Sequence, residues 1–237
     1  MMQASYLWAP PAVVSLPVCG SAARFPVNRI FCIGRNYQAH AIEMSMKGVD
    51  KATMRPFYFT KTPSALIESG ATVPYPPGTA DFHYEMELVV ALGAPGFRVD
   101  EAEAGGLIYG YAAGLDMTRR DLQALARQHA HPWDLSKNLE NAAVCSAIVP
   151  AAGGEVLTKG RITFALNGVT RQSGDLSQLI WSIREIIADL SQFYHLQPGD
   201  LIYTGTPEGV GAVSPGDRLC GEVEGVGSVA LTIARPE

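Results

Sequence analysis

One strand constrains this chain more than any other feature. Tyr84-Glu85-Met86-Glu87-Leu88-Val89-Val90-Ala91-Leu92 alternates at its start and then runs wholly apolar. Successive side chains of a strand point to opposite faces, so Glu85 and Glu87 share one face and Met86 and Leu88 take the other. A surface strand rarely continues into Val-Val-Ala-Leu, so two carboxylates stand side by side at the mouth of a buried strand. Two like charges that close need protons, cations or a metal. An exposed edge strand with gatekeeper acids is the plain alternative. Buried charge demands a partner, which favours the metal.

The rest of the chain reads as turn-rich and β-dominated. Its 237 residues include 24 glycines and 16 prolines, together above the usual ~12%. Residues 1–28 are Pro-rich and apolar and form an extended lead-in that packs on the main body, residues 29–237. Strands are expected at Arg29–Ile33, Phe57–Lys61, Tyr84–Leu92, Leu107–Met117 and Leu201–Thr204, with a meander over Arg218–Ala234. Asn167-Gly168 signals a type I′ hairpin between Arg161–Leu166 and Val169–Gln172. Helices are expected over Asn36–Lys47, with Asn36 as N-cap, and over Thr118–His129. A 3.6-residue apolar stripe from Leu176 to Tyr194 predicts one long helix, capped by Asp175 or Ser177. The order is mixed rather than strictly βαβ, so the fold class is α+β with a dominant β core.

Charge and cysteines exclude several classes. The formal net charge is −5 and no basic stripe occurs, which disfavours nucleic acid as a partner. The lead-in has no basic residue before Arg24, and prolines interrupt its apolar run, so neither a signal peptide nor a membrane span is expected. Cys19, Cys32, Cys145 and Cys220 are far apart, as suits reduced, largely buried thiols in a cytoplasmic protein. Charged residues make up 17% against the usual ~25%, which points to an oligomer that hides surface.

Three further segments carry chemistry. Asp116 ends an apolar strand just before a helix; it is a helix cap or, with Glu85 and Glu87, the third carboxylate of an all-oxygen set. Such a set selects a hard cation, Mg²⁺, Mn²⁺ or Ca²⁺, over zinc. His40 and Glu43 stand at i and i+3, close enough for the carboxylate to fix the imidazole as a general base, although such pairs are more often surface contacts. Tyr203-Thr204-Gly205-Thr206-Pro207-Glu208-Gly209-Val210-Gly211 can present backbone N–H groups to an anion or be an ordinary turn.

In this order the segments resemble the fumarylacetoacetate hydrolase family. The signatures are Gly-x-Asn-Tyr-x-x-His-x-x-Glu from Gly34, Glu-x-Glu at 85–87, Asp-x-Thr-x-Arg-Asp-x-Gln from Asp116, and Thr-Gly-Thr-Pro-x-Gly-Val-Gly from Thr204. The likeness spans about Arg29 to Ile233, and Arg119 departs from the small residue common there. It implies a mixed β-sandwich roll with a few peripheral helices, and a homodimer. It also implies a divalent metal on Glu85, Glu87 and Asp116, a water-activating dyad of His40 and Glu43, and a catalytic Lys137. Substrate contacts would come from Arg35, Lys61, Gln123 and Thr206.

The implied reaction is hydrolysis of the C–C bond of an acylpyruvate, fumarylpyruvate first, to pyruvate and an acid. Acetylpyruvate hydrolysis and oxaloacetate decarboxylation are alternatives on the same site. Two other classes stay open: an oxygenase using His83, Glu85 and Glu87, and a binding module whose acids are surface charges. The polar loop Ser45–Arg55 has no apolar period, so little is expected to hold it, and it could serve as a lid over the dyad.

Overall fold

The apolar run is buried because both faces of its strand are covered. The computed structural model describes residues 5–44, 48–151 and 156–237. Strand Met86–Leu92 lies inside a mixed eight-stranded sheet. Its order is Phe57–Lys61, Arg29–Gly34, Asp200–Tyr203, Met86–Leu92, Ile108–Asp116, Ala143–Cys145, Leu66–Glu68, and Val149–Pro150 also pairs with Ile108–Asp116. A five-stranded sheet, in the order Val169–Asp175, Arg161–Leu166, Arg218–Val223, Gly227–Ala234, Ala71–Pro74, forms the second layer. The fold is therefore α+β and β-dominated, as the sequence predicts. Met86, Leu88, Val90 and Leu92 join Phe164, Val223 and Leu231 in the main core. The sheets approach closely where Gly221 meets Met86: a Cβ there would lie 2.2 Å from Met86 Sδ.

Val89 and Ala91 point to the other face, with Ala112, Ala143, Cys145 and Leu201. Of the described lead-in, only the second half, from Val14 to Val27, covers this face; Tyr6, Leu7, Trp8 and Val13 are exposed. Ser15–Pro17 and Arg24–Pro26 pair as a small hairpin, and Leu16, Val18, Phe25 and Val27 are buried in the same cluster. Asn167 and Gly168 both have positive φ, 53° and 79°, as a type I′ turn requires.

Several elements differ from expectation, each for a local reason. The expected strand Tyr84–Leu92 breaks at Glu85. Phe82–Tyr84 belongs to a separate three-stranded sheet with Thr118–Arg119 and Gly211–Ala212. The neighbouring strand makes the same change of sheet after Asp116, and Asp116 N–H donates to Glu85 O at 2.9 Å. Glu85 and Asp116 thus share one corner. Thr118 is consequently in a strand, and the helix runs from Arg120 to Gln128.

The stripe from Leu176 to Tyr194 is not one helix. A 3-10 turn, Leu176–Gln178, is capped by Asp175, and the helix proper, Ile183–Phe193, starts with a Ser182/Glu185 capping box. Between them Leu179 is extended (ψ 126°) because this stretch pairs with residues 36–37: Ile180 N–H donates to Asn36 O, and Trp181 exchanges bonds with the Asn36 amide. Asn36 is therefore a buried connector, not an N-cap. The first helix spans Gln38–Glu43, and the expected continuation through residues 45–47 lies outside the described residues.

Residues 48–55 are better held than their composition suggests. Val49 packs against the main core, Lys51 pairs with Glu185 at 2.6 Å and Arg55 with Asp189 at 3.2 Å. Among the cysteines, Cys32 and Cys145 are buried, but Cys19 and Cys220 are exposed at turns and on an outward strand face.

Candidate active site

The corner where two strands change sheets gathers the acids. Ligand oxygens of Glu85, Glu87 and Asp116 lie within 4.8 Å of one another, and all three residues are buried. The surface-charge reading of these acids is thereby excluded. Three buried cations surround them. Lys137 Nζ donates to Glu85 Oε2 and Asp116 Oδ2, both at 2.7 Å, and to Thr118 Oγ1 at 2.8 Å. Arg120 Nη2 donates to Glu85 Oε1 at 2.5 Å, and Lys61 Nζ lies 2.9 Å from Asp116 Oδ1.

Glu87 has a different environment. One oxygen accepts the Gly205 N–H at 2.7 Å, and no cationic side chain forms an ion pair with it among the described residues. Burial, with Asp116 and Glu85 adding to it, pushes the Glu87 carboxyl well above its ordinary value. Burial acts the same way on Glu85, but Lys137 and Arg120 outweigh it and hold that carboxyl far below the usual range. Lys137 is raised because Asp116 and Glu85 overcome the opposite effect of burial.

These observations fit a hard divalent cation. The donor set is all carboxylate. Glu87 lacks a cation, and Asp116 Oδ1 is buried with no hydrogen bond despite the nearby ammonium. His83 is elsewhere: its Nε2 bonds Asp81 Oδ1 at 2.8 Å, because the break at Glu85 carries it into the small sheet. The facial site of the oxygenase reading does not form.

The dyad sits across the same cavity. His40 lines it together with Glu85 and Glu87, and His40 Nδ1 lies 3.2 Å from Glu43 Oε2. The other Glu43 oxygen accepts the Gly209 N–H at 3.0 Å. Burial alone would raise Glu43, but the His40 hydrogen bond and the Gly209 N–H outweigh it and lower its pKa. The Gly-rich loop thus spends two N–H groups on the protein's own carboxylates, Glu87 and Glu43, and so ties the acid cluster to the dyad. Glycine is required at both places: Gly205 (φ 94°) lies against Asn36, and Gly209 (φ 92°) against the Arg171 carbonyl, 2.1 Å from a would-be Cβ.

Of the expected substrate residues, Arg35, Gln123 and Thr206 line the cavity with Lys137. Thr206 Oγ1 accepts from Gln172 Nε2 at 2.8 Å, which leaves its own O–H to donate. Gln123 Oε1 accepts from Arg120 Nη1 at 2.6 Å, leaving its amide N–H groups. Lys61 is placed behind Asp116, bonded to the Met117 and Lys137 carbonyls, so it is the counter-ion of Asp116 rather than part of the wall. Arg119 Nη1 donates to Leu135 O at 3.0 Å, on the short helix Asp134–Lys137 that carries the lysine.

The sequence reading gives no role to Arg120 or Gln172 and takes Asn36 only for a helix cap. Arg120 and Asn36 lie inside quoted signatures, which was the available signal. Gln172 carried none: it is a strand residue whose amide bonds Met86 N–H, Thr206 and the Pro207 carbonyl.

Comparison with known proteins defines the class. The fumarylacetoacetate (FAA) hydrolase C-terminal family profile matches residues 29–234, and the chain belongs to that family. Within it, the chain is 61% identical over 189 residues to the fumarylpyruvate hydrolase of a Ralstonia species, covering 80% of this chain and 98% of that protein. The crystal structure of fumarylpyruvate hydrolase from Pseudomonas aeruginosa, in complex with Mn²⁺ and pyruvate, superposes with a TM-score of 0.92. That structure is 42% identical, and the match covers 98% of this chain and all of the other. Human mitochondrial oxaloacetate tautomerase FAHD1 is 36% identical over 208 residues, 88% of this chain and 92% of that protein.

Proposed function

We propose that this protein is a metal-dependent hydrolase that cleaves the C–C bond of fumarylpyruvate to fumarate and pyruvate. The observation that carries the reading is the 61% identity to the Ralstonia enzyme, together with the buried carboxylate cluster facing a His–Glu dyad. Glu85, Glu87 and Asp116 would hold Mg²⁺ or Mn²⁺, which supplies Lewis-acid stabilisation of negative charge on the 2-oxo acid end.

The protein's own groups account for the other needs of the reaction. Thr206 donates its O–H to the substrate carboxylate. His40, its ring oriented through Nδ1 by Glu43, takes a proton from water, so that hydroxide attacks the distal carbonyl. Cleavage leaves the hydroxide oxygen on the acid and transfers the bonding pair to the pyruvate fragment as an enolate, which takes up the proton held by His40 to give pyruvate. Lys137, raised by its acidic neighbours and therefore a firm cation, faces that developing charge. Gln123 presents amide N–H groups to the same cavity. Arg120, with Lys137, keeps Glu85 ionised, and Lys61 lies against Asp116 as its counter-ion.

The same reading makes the protein a cytoplasmic homodimer. Its four free cysteines and low charged fraction of 17% support this. Oxaloacetate chemistry is the second reading, supported by the FAHD1 relatives at lower identity. An ultraviolet assay of fumarylpyruvate, acetylpyruvate and oxaloacetate with Mn²⁺ or Mg²⁺, with products identified, separates the two. Fumarylpyruvate should be consumed fastest, to fumarate and pyruvate in equal amounts. Turnover of oxaloacetate alone would overturn the proposal.

A further inference from the structure

Around the cavity Glu85 and Asp116 have their cations, while among the described residues Glu87 has none and two arginines have no anion. Glu85 takes Arg120 and Lys137, and Asp116 takes Lys137 and Lys61. Arg35 and Arg127 line the same cavity, and neither has an ion-pair partner among the described residues. Arg35 Nε is buried with no hydrogen bond, and its guanidinium lies 5.4 Å from the centroid of the Phe57 ring. Arg127 makes one long contact, from Nη1 to Met44 O at 3.4 Å.

Arg35 is also delivered to the cavity under constraint. Its φ is 61°, a region that residues with a side chain seldom occupy and keep only where their surroundings over-determine it. Both flanks do so. Gly34 is pressed against the Phe57 ring, 2.2 Å from a would-be Cβ, and the Asn36 amide is fixed by Trp181 and Thr204. Burial, then the charge of Arg127, pulls Arg35 below its ordinary value. A wall with two arginines that no carboxylate neutralises, beside Glu85 and Asp116 that already have their cations and Glu87 that is held by the Gly205 N–H, suits a ligand with a second negative group. The planar fork of arginine matches a carboxylate.

We propose that Arg35 and Arg127 clamp a carboxylate at the far end of the acyl group, and so select acylpyruvates whose acyl part is itself an acid. This rests on the acylpyruvate reading above and adds its specificity determinant. A monoanionic substrate such as acetylpyruvate leaves the clamp unfilled, whereas the dianionic fumaryl compound fills it.

The test compares kcat/KM for fumarylpyruvate and acetylpyruvate in the Mn²⁺-loaded full chain, for wild type, R127Q, R127K and R35Q. Wild type should prefer fumarylpyruvate. R127Q, at an exposed position and so expected to fold, should lower that preference at least tenfold, mainly through KM. R35Q should lower it further, and R127K should recover part of it. A preference within twofold of wild type in both glutamine variants overturns the clamp while leaving the hydrolase reading intact. If wild type cleaves neither compound, the hydrolase reading fails and the clamp is read by binding. Fumarate and crotonate, alike in length but differing by one carboxylate, are titrated against the fluorescence of Trp133, which lines the cavity. Tighter fumarate binding that R127Q abolishes supports the clamp, and equal binding of the two acids overturns it.

Discussion

At one end of the outer face of the large sheet, Val89, Ala91, Ala112 and Ala143 are covered by Leu16, Val18, Phe25 and Val27. At the other end, a few residues along the same strands, Glu85 and Asp116 are paired with two lysines and an arginine, and Glu87 is buried beside them on the Gly205 N–H. The apolar end stabilises the fold outright, at about 1.5–3 kcal/mol for each large side chain buried. The charged end is different in kind. Taking ions out of water costs several kcal/mol each, and their attraction repays this at best approximately. A sheet designed for stability would continue its apolar cover across the whole face. Keeping three acids and three cations there is therefore a functional expense, and it should respond to mutation in the opposite way from the apolar end.

The largest effect is expected from Asp116→Asn. It leaves Lys61 and Lys137 buried with one negative charge fewer between them, and breaking such a set costs about 3–5 kcal/mol. Urea unfolding with EDTA present should show this loss, and titration calorimetry should show weakened Mn²⁺ binding. Full hydrolytic activity of the variant in EDTA would end the metal reading. The contrasting change is Leu16→Ala, which removes a fully buried side chain from the apolar end. It should cost about 2–5 kcal/mol of stability, with activity per folded molecule unchanged. A loss of kcat in the folded fraction would mean that the two ends are coupled and the comparison fails.

The same division governs what could be read from the sequence. Alternation in Met86–Leu92 reveals both faces because a strand's side-chain period is fixed, and Asn167-Gly168 reveals its hairpin because few residues tolerate two positive φ angles. The apolar stripe overstates helix Ile183–Phe193 because it continues back through Leu176 and Leu179. Pairing with residues 36–37, far away in sequence, through the Asn36 carbonyl and its side-chain amide, makes the chain extended between them. At the charged end the individual residues were legible as signatures, but not their partners. Nothing local indicates that Lys61 stands behind Asp116, or that Gln172 supports Thr206. Those pairings depend on where distant strands cross, and on which charge a burial site must neutralise.

A smaller change separates chemistry from the charge cluster. Glu43→Gln keeps a hydrogen-bonding partner for His40 but removes the charge that stabilises a protonated ring. Hydrolysis should fall by about 10²-fold, the usual scale of general-base effects, with Mn²⁺ affinity kept. Oxaloacetate decarboxylation, which needs no activated water, should fall less. Equal losses in both reactions would assign the dyad to positioning substrate.

The smallest effect expected is in the pH dependence of stability, and it tests whether Glu43 belongs to the charged end at all. Its pKa is lower in the folded protein, because the His40 hydrogen bond and the Gly209 N–H overcome the raising effect of burial. For a carboxyl depressed on folding, the unfolded state binds the proton more readily. Its contribution is therefore complete above the ordinary glutamate value and is lost as pH falls through the lower folded value. Glu43 is partly open to solvent, so this contribution is modest and screened by salt. Wild type should exceed Glu43→Gln in urea stability at neutral pH, and the difference should disappear in acid, below the ordinary glutamate range. A difference that persists unchanged into strong acid would show that the amide disturbs packing, and that the carboxylate charge contributes nothing to holding the Gly-rich loop.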